Sequence, residues 1–205
     1  MKNIYDKYII GISFGFHDSA VALIQNGVVL NAVEEERFTG IKHDNNFPIN
    51  SINWILKNNN ITGKDISAVC YYENPTLKYD RDKKSYWKYF WKNPFNFPKK
   101  KSELTQFDFI FPNAKVFIGN HHLSHLAYSY FTSDFEESAI LSVDGVGEWD
   151  TTVLASGKDN IIKRHSEVVY PHSLGLLYST ITAFLGFKPN EGEYKVMGLA
   201  PYGTH

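Results

Sequence analysis

Apolar positions near the start of the chain come in short runs of strand length. Residues 8–15 (YIIGISFG) form a β-branched run, the turn FHDS breaks it, and AVALIQ at 20–25 resumes it. Asn26-Gly27 is a two-residue hairpin signal, and VVLNAVEEE at 28–36 supplies a third strand. The period then changes: Ile49, Ile52, Ile55 and Leu56 recur at helical spacing, with Gly63 as the predicted stop. ISAVCYY (66–72) and KVFIGN (115–120) return to strand character.

The second half repeats this grammar. HHLSHLAYSYF predicts a helix with Leu123, Leu126, Ala127 and Tyr130 on one side. ESAILSVDG (137–145), TTVLASG (151–157) and IIKRHSEVV (161–169) predict three strands, the last two joined by a Lys158-Asp159-Asn160 turn. SLGLLYSTITAFLG (173–186) predicts an amphipathic helix with Ser173 as cap and Gly186 as stop. A shift of 132 positions lays Asp18 over Asp150 and Val21 over Val153, with the hairpin turns in step. Each copy is a three-strand meander, at about 8–36 and about 138–169, followed by helices. Two such copies predict an α/β fold of the duplicated actin-like, ribonuclease-H-type class that includes sugar kinases. The turn between the first two strands of such a meander holds phosphate through backbone N–H groups. DGVGE suits that task, because Gly145 and Gly147 let the backbone approach an anion closely.

Composition narrows the function classes. The chain has 205 residues, 43% hydrophobic and 16% aromatic, enough for a sizeable core and too apolar for disorder. A net charge of −1 argues against nucleic acid or a membrane surface as partner. No apolar run approaches membrane-spanning length, and the opening residues do not read as a signal peptide. One cysteine, Cys70, excludes an internal disulfide and suits a reducing cytoplasm. From 78 to 101 the balance shifts: nine Lys/Arg face two acids, a net of +7, with eight aromatics interleaved. Pro94 and Pro98 forbid one continuous helix there, so about 73–106 reads as a basic aromatic insertion. The Gly/Pro-rich turn at the end predicts that the chain continues into a larger architecture, and a homo-oligomer is compatible with the sequence.

The candidate chemistry centres on histidine. His121 and His125 are four apart, so a helix puts both imidazoles on one face within reach of one ion. His122 lies about 100° round and is expected to be structural. Asp144, at the end of the next strand, is the best third ligand, since open α/β sheets bind at strand C-termini. Two imidazoles and a carboxylate suit iron, manganese or zinc. His17, beside Asp18 in the first turn, is either a general base or a turn histidine bonded to backbone. The loop EEERFTGIKHDNNFP (34–48) offers Lys42 to an anion or is a solvated surface. FKPNEGEYKVMGLAPYG (187–203) reads as a polar site loop in which Lys195 is a candidate substrate contact, as is Gly15 in the first turn.

Taken in order, GISFGFHDSAVALIQNG, EEERFTGIKHDNNFP, HHLSHLAYSYFTSDFEESAILSVDGVGEWDTT, HSLGLLYS and FKPNEGEYKVMGLAPYG resemble the carbamoyltransferase family of antibiotic and nodulation-factor biosynthesis. The same fold serves the tRNA-threonylcarbamoylation ATPases. The resemblance implies a two-step reaction: carbamoyl phosphate and ATP give carbamoyl-adenylate in a C-terminal domain, and an actin-like domain moves the carbamoyl group to a small-molecule hydroxyl. It implies metal ligation by His121 and His125, with iron(II) first and manganese or zinc as alternatives. It further implies metal and nucleotide contact for Asp144, a base at His17, carbamoyl-adenylate contact at Lys42, and a nucleotide-site glycine at Gly175. Gly145 and Gly147 join the nucleotide set. Gly40 stands where many relatives carry arginine, and the resemblance implies that a later actin-like portion and an adenylating domain lie outside these 205 residues. The alternatives are a tRNA-modifying or small-molecule-phosphorylating ATPase of this fold, or a non-catalytic fragment.

Overall fold

The computed structural model describes residues 7–16, 18–89 and 104–203. The chain divides into two compact units, Met1–Asn74 with Lys99–Gly119, and Pro75–Pro98 with Asn120–His205.

The first unit is built on β1 (Tyr8–Ser13), β2 (Ala20–Gln25), β3 (Val28–Glu34), β4 (Ile66–Tyr71) and β5 (Lys115–Ile118). The sheet order is β3-β2-β1-β4-β5; β1 to β3 form an antiparallel meander, and β4 and β5 continue it in parallel with β1. Asn26 and Gly27 take φ values of 54° and 79°, the left-handed pair that a tight hairpin requires. Alternation along β1 sends Ile10 and Ile12 into the core, continued by Phe14, where they meet Val21, Leu23, Ile66 and Val69. Helix α1 (Glu36–Thr39) follows β3, and α2 (Ile49–Asn58) buries Ile52 and Ile55 against the sheet. No side chain caps α2 from its own N-cap, Pro48. The cap comes from afar: the carboxylate of Glu35, 1% exposed, accepts from the Asn50 and Ser51 backbone N–H groups at 3.1 and 2.8 Å.

One prediction in this unit is corrected. Helix α2 stops at Asn59, not Gly63; Gly63 opens a 3-10 turn that a Thr62–Asp65 capping box starts. A β-carbon at Gly63 would lie 1.9 Å from the Ile110 carbonyl oxygen, so glycine is required for packing there. That carbonyl belongs to α4 (Thr105–Ile110), which brings Phe107 into the core and which the hydrophobic pattern did not announce.

The second unit holds α3 (Pro75–Tyr89), α5 (His121–Phe131), the antiparallel meander β6 (Glu137–Val143), β7 (Asp150–Lys158) and β8 (Ile161–Val169), then α6 (Leu174–Phe184) and α7 (Glu193–Leu199). Leu126 and Tyr130 of α5 pack on Ile140, Val153 and Ala155. The buried stripe of α5 is His122, Leu126 and Tyr130; Leu123 is exposed, contrary to the predicted face. The 78–101 segment is helical as far as Tyr89, and its remainder lies outside the described residues. The predicted loop at 187–203 contains α7 and a 3-10 turn at Ala200–Tyr202.

Two meanders, the first extended by parallel strands and each accompanied by helices, make this the actin-like, ribonuclease-H-type α/β fold. The duplication holds in the core: Val21 and Val153 are 1% and 0% exposed at equivalent places on β2 and β7. It does not extend to the aspartates. Asp18 sits in a turn at φ 55°, whereas Asp150 begins β7, and the second hairpin turns at Asp159, one residue later than the shift of 132 would place it. Among the described residues no helix is long and apolar enough to cross a membrane.

Candidate metal centre

Helix α5 begins where its first turn can be satisfied. The Asn120 side chain caps it by accepting from Leu123 N–H at 3.0 Å. Glu148, 2% exposed, accepts from His121 N–H at 3.0 and 3.1 Å and from the Asn120 amide at 3.1 Å. A buried carboxylate at a helix N-terminus is favoured by the exposed N–H groups and the helix dipole. These contacts fix the first turn, and with it the direction of the histidine rings.

His121 and His125 then face each other, with Nε2 atoms 3.1 Å apart. Asp144 follows β6, and its Oδ2 stands 2.8 Å from His121 Nε2 and 4.0 Å from His125 Nε2. Its Oδ1 accepts from Gly145 N–H at 2.7 Å, which aims Oδ2 at the imidazoles. Burial would raise the Asp144 carboxyl, but the His121 hydrogen bond and charge, the Gly145 amide and His125 outweigh it and hold it down at about 2. Partial burial, then the charge of His121, push the half-exposed His125 below the ordinary histidine value. Three Lewis bases, one anionic at neutral pH, thus converge within 4.8 Å of one another. The N2O donor set fits iron(II), manganese(II) or zinc, and leaves coordination positions open for substrate oxygens.

His122 supports this wall. It is 0% exposed; its Nε2 lies 2.8 Å from the Asp150 carbonyl and its Nδ1 2.8 Å from Ser142 Oγ. Burial lowers its pKa, against the opposing Asp150 hydrogen bond. A carbonyl only accepts, so a neutral ring carries its proton on Nε2 and accepts from the Ser142 hydroxyl on Nδ1.

The glycines act by proximity. A β-carbon at Gly147 would meet His121 Cβ at 3.0 Å, and one at Gly175 would meet the Asp144 carbonyl oxygen at 2.6 Å and Gly145 N at 2.7 Å. Gly175 therefore lets the first turn of α6 lie on the Asp144–Gly145 backbone. Ser173 ties the two together: its Oγ–H faces the Gly145 and Asp144 carbonyls at 2.7 and 3.2 Å and accepts from Leu176 N–H. In the DGVGE turn the Gly147 N–H donates to the Asp150 carbonyl at 2.9 Å, and the Gly145 N–H is held by Asp144.

The structure adds residues that spacing did not reveal. Arg81 of α3 is 8% exposed, donates to the Gly147 carbonyl and is paired with Asp82 at 2.7 Å. Lys84 stands 5.0 Å over the Trp149 ring. The described part of the basic segment thus packs on the DGVGEW turn. Lys195 lies on α7, 5.9 and 5.8 Å from the Phe187 and Tyr194 rings. Gly15 and Lys42 belong to the first unit: Gly15 N–H donates to the Asn45 carbonyl at 3.0 Å, and Lys42 is exposed in the turn before His43. The predicted base, His17, lies outside the described residues.

Fold and site define an actin-like α/β protein with a convergent two-histidine, one-carboxylate centre. Residues 8–205 match the family model described as Carbamoyltransferase N-terminus, and the chain belongs to that family. It is 42% identical to an uncharacterised protein of Synechocystis sp., over 96% of this chain and 35% of that protein. It is 35% identical to the nodulation protein NolNO of Sinorhizobium fredii, over 91% of this chain and 28% of that one. The chain therefore spans about a third of the length of these relatives. Among solved structures it resembles YeaZ from Pseudomonas aeruginosa, at 11% identity and a TM-score of 0.45 over 80% of this chain and 69% of that one.

Proposed function

We propose that this chain is the N-terminal part of an O-carbamoyltransferase that uses a divalent metal ion. The reaction moves a carbamoyl group from carbamoyl-adenylate, itself made from carbamoyl phosphate and ATP, to a hydroxyl of a small molecule. The observation that carries this reading is the convergence of His121, His125 and Asp144 within 4.8 Å in a member of the carbamoyltransferase family.

A carbamoyl carbonyl is a poor electrophile, and an alcohol is a poor nucleophile without a base. The bound ion, iron(II) first among the candidates, would supply Lewis-acid stabilisation for charge on substrate oxygens. The chain's own residues do the rest. His121, His125 and Asp144 would hold the ion, and the Gly145 amide keeps the Asp144 carboxylate oriented. Gly175 lets α6 pack directly on the Asp144–Gly145 backbone and so steadies the carboxylate. His17 takes the proton from the acceptor hydroxyl, and Lys42 offers its ammonium to the anionic adenylate, the roles that the family resemblance implies. Adenylation is assigned to the segments of the longer relatives that this chain does not match.

The test uses a stable carbamoyl-adenylate analogue and calorimetry. Iron(II)-loaded chain is expected to bind it, and Asp144→Asn or His121→Ala to weaken binding by at least about tenfold. Equal binding to metal-free, metal-loaded and His121→Ala protein refutes the reading. The chain alone is also expected to give no ATP-dependent turnover of carbamoyl phosphate.

A further inference from the structure

We propose that a second divalent cation binds in the first unit, at Asp18, Glu36 and His43, independently of the carbamoyl reading. The three come from separate pieces of chain: the turn between β1 and β2, the first residue of α1, and the turn after α1. Yet one ligand atom from each lies within 4.8 Å of the others. His43 Nδ1 is 2.8 Å from Asp18 Oδ1, and Glu36 Oε2 accepts from the His43 backbone N–H at 3.1 Å.

Main-chain bonds, not side-chain packing, set this juxtaposition. Ser19 N–H donates to the Asp44 carbonyl at 2.8 Å, Glu35 N–H to the Ser19 carbonyl at 2.8 Å, and Gly15 N–H to the Asn45 carbonyl at 3.0 Å. The loop bearing His43 is stiffened in turn. Asp44 accepts from Asn46 N–H at 2.9 Å, from the Asn46 amide at 2.8 Å and from Thr39 Oγ1 at 2.8 Å, contacts that lower its pKa. The turn also contains the one buried side-chain oxygen among the described residues that has no hydrogen-bond partner, Ser19 Oγ. A buried hydroxyl without a protein partner is one that a water can satisfy.

Charge favours a cation. Two carboxylates meet one imidazole, and an imidazolium would neutralise only one of them, whereas a divalent ion neutralises both. Arg37 meets Glu36 through Oε1, at 3.7 Å, whereas the His43 N–H meets it through Oε2. The side chains of Asp18, His43 and Glu36 are 42%, 32% and 24% exposed, so an ion can enter and retain water. One nitrogen and two carboxylate oxygens form a harder set than the histidine-rich centre of the second unit, which points to manganese(II).

Manganese(II) is the probe, titrated by calorimetry and electron paramagnetic resonance into chelator-treated chain. Two sites are expected in the unaltered protein. His43→Ala and Asp18→Asn each leave one, His121→Ala leaves the other, and His43→Ala with His121→Ala leaves none. Loss of the ligand should weaken the affected site at least about a hundredfold. If a variant fails to fold by circular dichroism, the unaltered protein decides: manganese should broaden the His43 ring resonances as well as those of His121 and His125. A single site that survives His43→Ala and Asp18→Asn, a second site that survives both first-unit substitutions, or broadening confined to His121 and His125 overturns the proposal. A first-unit site that persists when no binding is found at His121 upholds this proposal and counts against the second-unit centre.

Discussion

Replacing Gly175 with alanine sets two physical effects against each other. Gly175 is the second residue of α6, where alanine is the better helix former by about 1 kcal/mol. If helix propensity governed the position, the substitution would stabilise the protein. The structure argues the reverse. The new β-carbon would lie 2.6 Å from the Asp144 carbonyl oxygen, 2.7 Å from its carbonyl carbon and 2.7 Å from Gly145 N. All three are backbone atoms, so no rotamer change relieves the overlap. Real β-carbon contacts essentially never fall below 3.0 Å, so Asp144 must retreat by at least about 0.4 Å or α6 must lift. Overpacking of this kind costs about 1–3 kcal/mol, more than the propensity gain. A metal–ligand distance tolerates about 0.2 Å, so the same shift should weaken ion binding by about tenfold. Thermal unfolding followed by circular dichroism and metal titration by calorimetry read the two effects. A higher melting temperature with unchanged metal affinity would refute the close-approach reasoning.

Two further outcomes follow from the same centre. Asp144 has a folded pKa of about 2 against an ordinary 3.8, so its contribution is present above about pH 4 and fades as pH falls toward 2. With a third of the side chain exposed, screening reduces that contribution to about 1 kcal/mol; Asp144→Asn should flatten the acid limb of stability against pH, and an unchanged limb contradicts the assignment. His122→Ala empties a fully buried site and strips the Ser142 hydroxyl of its ring partner, so urea unfolding should show a loss of about 2–4 kcal/mol; a loss below about 1 kcal/mol would mean the ring is not the strut described.

The strands and α2 were legible because their signals are local. Alternation marks β1, a left-handed Asn-Gly pair marks the first hairpin, and α2 shows its apolar face at helical spacing. The misreadings have equally physical causes. The basic aromatic insertion contains a helix that its charge and aromatics did not announce: α3 is described from Pro75 to Tyr89, and Pro94 and Pro98, which forbid a helix through 101, lie outside the described residues. Helix α7 starts at Glu193 after a glycine with no side-chain cap and lies among Gly and Pro, so nothing local distinguishes it from a loop. Gly63 looked like a stop because glycine is common there, whereas its role is set by the Ile110 carbonyl, a contact formed only on folding.

The metal centre divides along the same line. The pair at 121 and 125 is visible as a four-residue spacing, and Asp144 as a carboxylate at a strand's end. What spacing could not decide is why Asp144, of the two acids in DGVGE, faces the two imidazoles. Glu148 is turned the other way by long-range contacts: it accepts His121 N–H and the Asn120 amide, 27 and 28 residues distant, and so caps α5. Asp144 has one oxygen held by the next amide in the chain and the other directed at both imidazoles. Arg81, 66 residues from Gly147, donates to that turn's carbonyl and brings a positive charge to a loop holding two carboxylates. One acid fixes the helix that carries the histidines, and the other is left to bind with them. That division of labour is a property of the folded turn, and it makes Glu148 a positioning residue for the ligands that Asp144 joins.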